Sequence, residues 1–187
     1  MADPDSAAAM ATATIEAFGG IDYLVNNAAI YGGMKIESLM KVDLDYYRRF
    51  FDVNFNGALI VTRACYRSMQ DRPGAAIVNQ SSTAAWMAGG YYGMAKAAIN
   101  SLTVNLAAEL AHRGIRVNAI APGPTDTSAT REVVPEMFLQ PLIDSLMIKR
   151  MGTPDDLVGA LLFLLSDDAR WMTGQIVAVD GGQIIRQ

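Results

Sequence analysis

Short apolar runs alternate along this chain with longer segments whose apolar residues recur at helical spacing. Ile21 to Val25, Ala75 to Asn79, Ile115 to Ile120 and Gln175 to Val179 have strand length and are bounded by polar or turn residues. Asp3-Pro4-Asp5-Ser6 opens a helix, with capping side chains and a proline that the first turn tolerates. That helix runs to Phe18, where Gly19-Gly20 stops it. Asp43 to Met69 places Phe50, Phe51, Val53, Leu59 and Ile60 at helical spacing and breaks at Arg72-Pro73-Gly74. Tyr91 to His112, ended by Gly114, and Asp155 to Leu165 are the remaining helices.

Strands that alternate with helices of this length need crossover connections, hence a parallel sheet covered on both faces. Apolar strands rather than alternating ones agree with burial on both sides. The pattern predicts one α/β domain over 1–187, with no repeat, linker or low-complexity stretch. Ligands of such sheets bind beyond the carboxyl ends of the strands. Those ends carry Asn26-Asn27-Ala28-Ala29, Ser81-Ser82 and Pro122-Gly123.

Composition narrows the chemistry. The chain has 187 residues, 51% of them hydrophobic, and a net charge of −4. A mildly acidic chain lacks the basic footprint of a nucleic-acid binder. A single cysteine, Cys65, leaves no internal disulfide, and a single histidine, His112, no multi-histidine metal centre. Both read as bystanders, Cys65 buried and His112 at a helix end. The longest apolar run, Leu157 to Leu165, is under half of the roughly 20 residues that a membrane helix needs. The opening Met1-Ala2-Asp3-Pro4-Asp5 has no basic stretch followed by an apolar one, so the expected location is cytoplasmic. Catalysis, if any, falls to carboxylates, hydroxyls, Tyr, Lys and amides.

Tyr92 and Lys96 lie four apart at the start of a predicted helix and therefore share one face. An ammonium beside a phenol lowers the phenol pKa, which suits it to acid or base work on an alcohol or ketone. Tyr91 is five residues from Lys96 and off that face. The pair alone is equally at home on a solvated helix. Its context is more specific: Asn26-Asn27-Ala28-Ala29, then Asn54 within Asp52-Val53-Asn54-Phe55-Asn56-Gly57, then Ser81-Ser82, then Ala121-Pro122-Gly123-Pro124-Thr125 after a strand.

This order of motifs resembles the short-chain dehydrogenase/reductase family over nearly the whole chain. The resemblance implies a Rossmann-like doubly wound parallel sheet, and hydride transfer between NAD or NADP and the CH–OH or C=O group of an apolar small molecule. A 3-oxoacyl reductase or a small alcohol dehydrogenase fits that description. By resemblance Tyr92 is the acid/base, Lys96 lowers its pKa and holds the nicotinamide ribose, and Ser82, or else Ser81, holds the substrate oxygen. Asn54 anchors a proton relay or kinks its helix. Asn26 and Ala28 lie along the adenosine, Pro122, Gly123 and Thr125 against the nicotinamide, and Thr127 near the diphosphate or carboxamide. No metal is implied. The residues from Gly123 to Met151, apolar at Val133, Val134, Met137, Phe138, Leu139, Leu142, Ile143, Leu146 and Met147, match the segment that covers the substrate or packs on the core. The Asp43–Met69 and Tyr91–His112 helices imply a homodimer or homotetramer.

The chain departs from the family pattern in three places. Ser82 and Tyr92 are ten apart, where thirteen is common in the family, and Ala29 replaces the usual glycine. No strand, glycine-rich turn and helix precede Asn26, so by resemblance roughly sixty residues, about two crossover units, are not in this sequence. The Ile21 strand should then be an exposed sheet edge. A second reading stays open: a non-catalytic fragment or interaction subunit unable to hold the cofactor.

Overall fold

The computed structural model describes residues 2–185. Helix α1 (Pro4–Phe18) begins where Asp3 Oδ1 accepts the N–H groups of Asp5 and Ser6, at 2.9 and 3.3 Å. It ends at Gly19, whose positive φ closes the last turn. Strand β1 (Tyr23–Asn26) follows, then α2 (Leu44–Phe51), a π-helical turn over Asp52–Asn56, and α3 (Gly57–Met69). Thus the long segment predicted as one helix is continuous but carries a π turn at its middle. Then come β2 (Ala76–Gln80), α4 (Gly90–Leu110), β3 (Arg116–Pro122), the short helices α5 (Ser128–Val133) and α6 (Leu139–Ser145), α7 (Pro154–Leu165) and β4 (Ile176–Val179).

The four strands are all parallel, in the order β1-β2-β3-β4. Strand β2 lies inside the sheet and sends Ile77 and Val78 to opposite faces. Ile77 packs with Ala7, Ala11, Leu24, Val61, Cys65, Met69, Leu106 and Val117 beneath α1, α3 and α4. Val78 packs with Ile120, Leu164 and partly buried Leu161 beneath α7. A third cluster, Val42, Phe50, Tyr91 and Ala95, joins the loop after β1 to α2 and α4. Cys65 is buried as expected, and burial pushes its thiol pKa up.

Strand β1 pairs only with β2, so the strand expected at an edge is there, with Tyr23 and Val25 exposed. None of the helices over the described residues is long and apolar enough to cross a membrane. The parallel arrangement places the strand ends near Asn26, Gln80 and Pro122 along one edge of the sheet, where the site forms.

Ile77 is 0% exposed and Phe18 is 81% exposed. Ile77→Ala is therefore expected to cost about 2–5 kcal/mol in urea unfolding, and Phe18→Ala less than about 0.5 kcal/mol. Equal costs would contradict this assignment of the core.

Candidate active site

Beyond the carboxyl ends of β2 and β3 lies a cleft of about 720 Å³, walled by Ser82, Tyr92, Lys96, Pro122, Gly123, Thr125 and Thr127. Two elements set its geometry: the end of β2 and the first two turns of α4. Their separation is fixed by side chains. Lys96 Nζ donates to the Gln80 carbonyl at 2.8 Å, and Ser81 Oγ donates back to the Lys96 carbonyl at 3.3 Å. Ser81 Oγ shares that one proton with the Asn100 amide oxygen, the closer of its two acceptors. Ser81 thus faces α4 and is buried, whereas Ser82 faces the cleft and hydrogen-bonds the Tyr92 hydroxyl. Of the two serines, only Ser82 shares the space in front of Tyr92.

The connection from Ser82 to Tyr92 is short because it lies flat on α4. A single 3-10 turn (Thr83–Trp86) carries the chain over the helix start. A Cβ at Gly93 would sit 2.6 Å from the Ala84 carbonyl oxygen, so only glycine allows that approach.

Burial governs the electrostatics here. Tyr92 has its pKa pushed up to about 12, chiefly by desolvation; the Ser82 hydrogen bond pulls it down and nearby Tyr31 pushes it up. This differs from the expectation that Lys96 lowers the tyrosine pKa. The lysine spends its contact on Gln80 and stands 5.8 Å from the Tyr92 ring centroid. Its own pKa falls to about 8 because burial disfavours the ammonium. Tyr92 is accordingly a protonated phenol at neutral pH. Tyr91, the rival tyrosine, is sequestered: its hydroxyl donates to the Lys35 carbonyl, and its ring meets Phe50 edge-on at 4.8 Å.

Asn54 sits within the π turn and is 3% exposed. Its Oδ1 accepts the Ile30 N–H at 2.7 Å and its Nδ2 donates to the Ile30 carbonyl at 3.1 Å. It clamps the loop after β1, a role that sequence spacing does not reveal. Asn26 and Ala28 do not line the cleft, contrary to the expected contacts along a cofactor; Asn27 and Ala29 do. Asn26 points into the core, where its Nδ2 donates to Asn79 Oδ1 at 2.8 Å and Thr62 Oγ1 at 3.2 Å. Alternation along a strand explains the offset of one residue.

Gly123 packs so closely on the loop after β4 that a Cβ would meet Asp180 Cα at 2.6 Å. Thr125 Oγ1 donates to the Gly123 carbonyl at 3.0 Å, and Thr127 caps α5 by accepting the Thr130 N–H at 3.1 Å. In the covering segment Val134 and Leu142 line the cleft, Val133 and Leu146 are buried, and Met137, Phe138 and Met147 are exposed. Tyr31, missed in the sequence, also lines the cleft, its ring 5.3 Å from that of Tyr92. The available signal was an aromatic residue directly after Asn-Asn-Ala-Ala-Ile and before two glycines.

The donor set fits a nicotinamide nucleotide. A buried ammonium has three protons, and one is committed to Gln80, which leaves two for ribose hydroxyls. Thr125 and Thr127 line the same cleft. No group of three His, Cys, Asp or Glu side chains able to hold a metal occurs among the described residues.

The comparisons with known proteins agree. The family model described as enoyl-(acyl carrier protein) reductase matches residues 1–183. An uncharacterized oxidoreductase of Mycobacterium tuberculosis is 59% identical over 186 residues, which is 100% of this chain and 75% of that protein. A 3alpha-hydroxysteroid dehydrogenase of Mediterraneibacter gnavus is 36% identical, over 96% of this chain and 71% of its own length. Among solved structures, a metagenomic blue fluorescent protein in complex with NADPH is 34% identical with a TM-score of 0.88, covering 98% of this chain and 73% of its own. A short-chain type dehydrogenase/reductase from Mycobacterium marinum superimposes with a TM-score of 0.89 at 29% identity, over 97% and 72% of the two chains. The fold and the site define a nicotinamide-dependent oxidoreductase of the Rossmann type. The chain belongs to the short-chain dehydrogenase/reductase family.

The buried lysine gives a pH signature. Its folded-state pKa, about 8, lies below its ordinary value of 10.5, so between those pH values the unfolded chain holds the extra proton and stability rises with pH. Tyr92 acts in the opposite sense, costing stability from about pH 10 to about 12. Urea unfolding from pH 8 to 10 should show the wild-type protein gaining stability relative to Lys96→Met. A difference that stays flat over this window would contradict a buried, destabilised ammonium.

Proposed function

We propose that this chain catalyses reversible hydride transfer at the carbonyl or carbinol carbon of an apolar small molecule, with Tyr92 as the acid/base. The observation that carries this reading is that Ser82, Tyr92 and the buried Lys96 line one cleft, with the Ser82 hydroxyl close enough to act on the Tyr92 phenol. A bound nicotinamide nucleotide, NAD or NADP, supplies or takes the hydride. Everything else falls to side chains of this chain.

In the reducing direction Ser82 Oγ and Tyr92 Oη hydrogen-bond the substrate oxygen and fix the carbonyl plane. As negative charge develops on that oxygen, the Tyr92 proton moves to it. A phenol with a pKa near 12 holds its proton at neutral pH and is ready as an acid. In the oxidising direction Tyr92 must release a proton first, and the Ser82 hydrogen bond is what favours the phenolate against the cost of its burial. Lys96 would hold the ribose, Pro122, Gly123 and Thr125 would border the nicotinamide, Thr127 would serve the diphosphate or carboxamide, and Asn54 keeps the opposite loop in place. The description attached to the matching family model names an enoyl bond, but paired hydroxyl donors serve an oxygen atom. The dehydrogenase names of the relatives support the same preference, and they weigh against a non-catalytic fragment. A homo-oligomer built through α2, α3 and α4 belongs to this reading.

Tyr92→Phe should lower kcat for ketone reduction by about 10²–10⁴-fold, assayed with millimolar NADH or NADPH, and should leave cofactor affinity within threefold. A variant that retained most of its kcat would remove Tyr92 from the acid/base role.

A further inference from the structure

The loop after β1 carries one aromatic ring into the cleft, and the fold takes unusual care to immobilise it. Both backbone groups of Ile30, the residue before Tyr31, are held by the Asn54 amide. The Tyr31 carbonyl accepts the Met34 N–H at 3.1 Å, closing the turn that follows. Next, the Lys35 N–H donates to Tyr46 Oη at 3.1 Å and the Lys35 carbonyl accepts from Tyr91 Oη. On the far side, a Cβ at Gly32 would lie 3.2 Å from Glu132 Oε2 and 3.3 Å from Ala129 Cβ, so the turn abuts α5 of the covering segment. Tyr46 and Tyr91 belong to the Phe50 cluster. Tyr31 instead has its ring against Tyr92, tilted by 44°, and lines the cleft with Met87, Val134 and Leu142.

We propose that Tyr31 determines substrate specificity, its ring serving as a fixed platform for a flat, unsaturated group bonded directly to the reacting carbon. This rests on the carbonyl and carbinol reading given above. The distance sets the substrate class. With its ring centroid 5.3 Å from that of the acid/base tyrosine and on the same cleft wall, Tyr31 stands at the reacting end of the cleft, within reach of a group bonded to the reacting carbon. Flat π systems gain from offset or tilted contact with such a ring, and a saturated ring of equal size does not. Because the loop is already ordered by Asn54, Tyr46 and Tyr91, binding spends little entropy on arranging it. The remaining apolar wall of Met87, Val134 and Leu142 accepts the other substituent without polar demands.

The test compares acetophenone with cyclohexyl methyl ketone, two ketones of similar size, in wild-type protein, Tyr31→Phe and Tyr31→Leu. Wild type and Tyr31→Phe should favour acetophenone by at least tenfold in kcat/KM. Tyr31→Leu should abolish that preference by raising KM for acetophenone about tenfold and KM for the saturated ketone less than threefold. A wild-type enzyme indifferent to the two ketones, or a Tyr31→Leu loss equal for both, would overturn the proposal. Saturation-transfer NMR of acetophenone on the protein without cofactor separates this inference from the catalytic reading. If no ketone is turned over, weaker acetophenone binding in Tyr31→Leu than in Tyr31→Phe still supports the platform, and equal binding rejects it.

Discussion

The cross-tie between the end of β2 and α4 is the interaction on which the site depends. Lys96 reaches back to the Gln80 carbonyl while Ser81 reaches forward to the Lys96 carbonyl. Both bonds lie where the chain leaves the sheet, so they fix the position of the next residue, Ser82, over the turn of helix that bears Tyr92. A backbone carbonyl and a buried ammonium satisfy each other here in a place where neither could remain unpaired without cost. Lys96 is thus a structural residue of the cleft, buried and bonded to the Gln80 carbonyl.

Beneath that cross-tie runs a buried ladder of polar side chains. Asn26 donates to Asn79, Asn79 Nδ2 to Thr103 Oγ1 at 3.0 Å, and Thr103 Oγ1 to the Ile99 carbonyl at 2.8 Å. The ladder joins β1, β2 and α4, with Thr62 of α3 bonded to Asn26. Directional bonds specify one register in a core that aliphatic packing alone would hold less exactingly. Asn54 extends the same logic to the cleft's far wall. Its π turn aims the amide at Ile30, and that clamp in turn sets Tyr31 opposite the covering segment.

The four strands and the long helices were legible because each strand is a short, largely apolar run bounded by polar or turn residues, as in Ala75 to Asn79. Boundaries moved by a residue or two. Tyr92 and Lys96 were legible because helical periodicity alone puts them on one face. Other features hide from one-dimensional reading. Nothing in Asp-Val-Asn-Phe-Asn announces a π turn, since its apolar spacing is still helical. The choice of Ser82 over Ser81 depends on which way a strand end rotates, as does the cleft position of Asn27 and Ala29 in place of Asn26 and Ala28. Spacing reveals the charge beside Tyr92 and conceals both the burial that raises its pKa and the Gln80 carbonyl that takes the Lys96 ammonium.

Burial therefore outweighs the adjacent cation in setting the Tyr92 pKa. Its most direct measure is the NMR titration of Tyr92 labelled with ¹³C at the phenolic carbon, in wild-type protein and in Ser82→Ala. Dominance of burial requires the wild-type phenol to titrate at about 12, with loss of the Ser82 hydrogen bond moving it higher still. A wild-type midpoint at or below 10, unchanged in Ser82→Ala, would contradict both the buried phenol and its bond to Ser82.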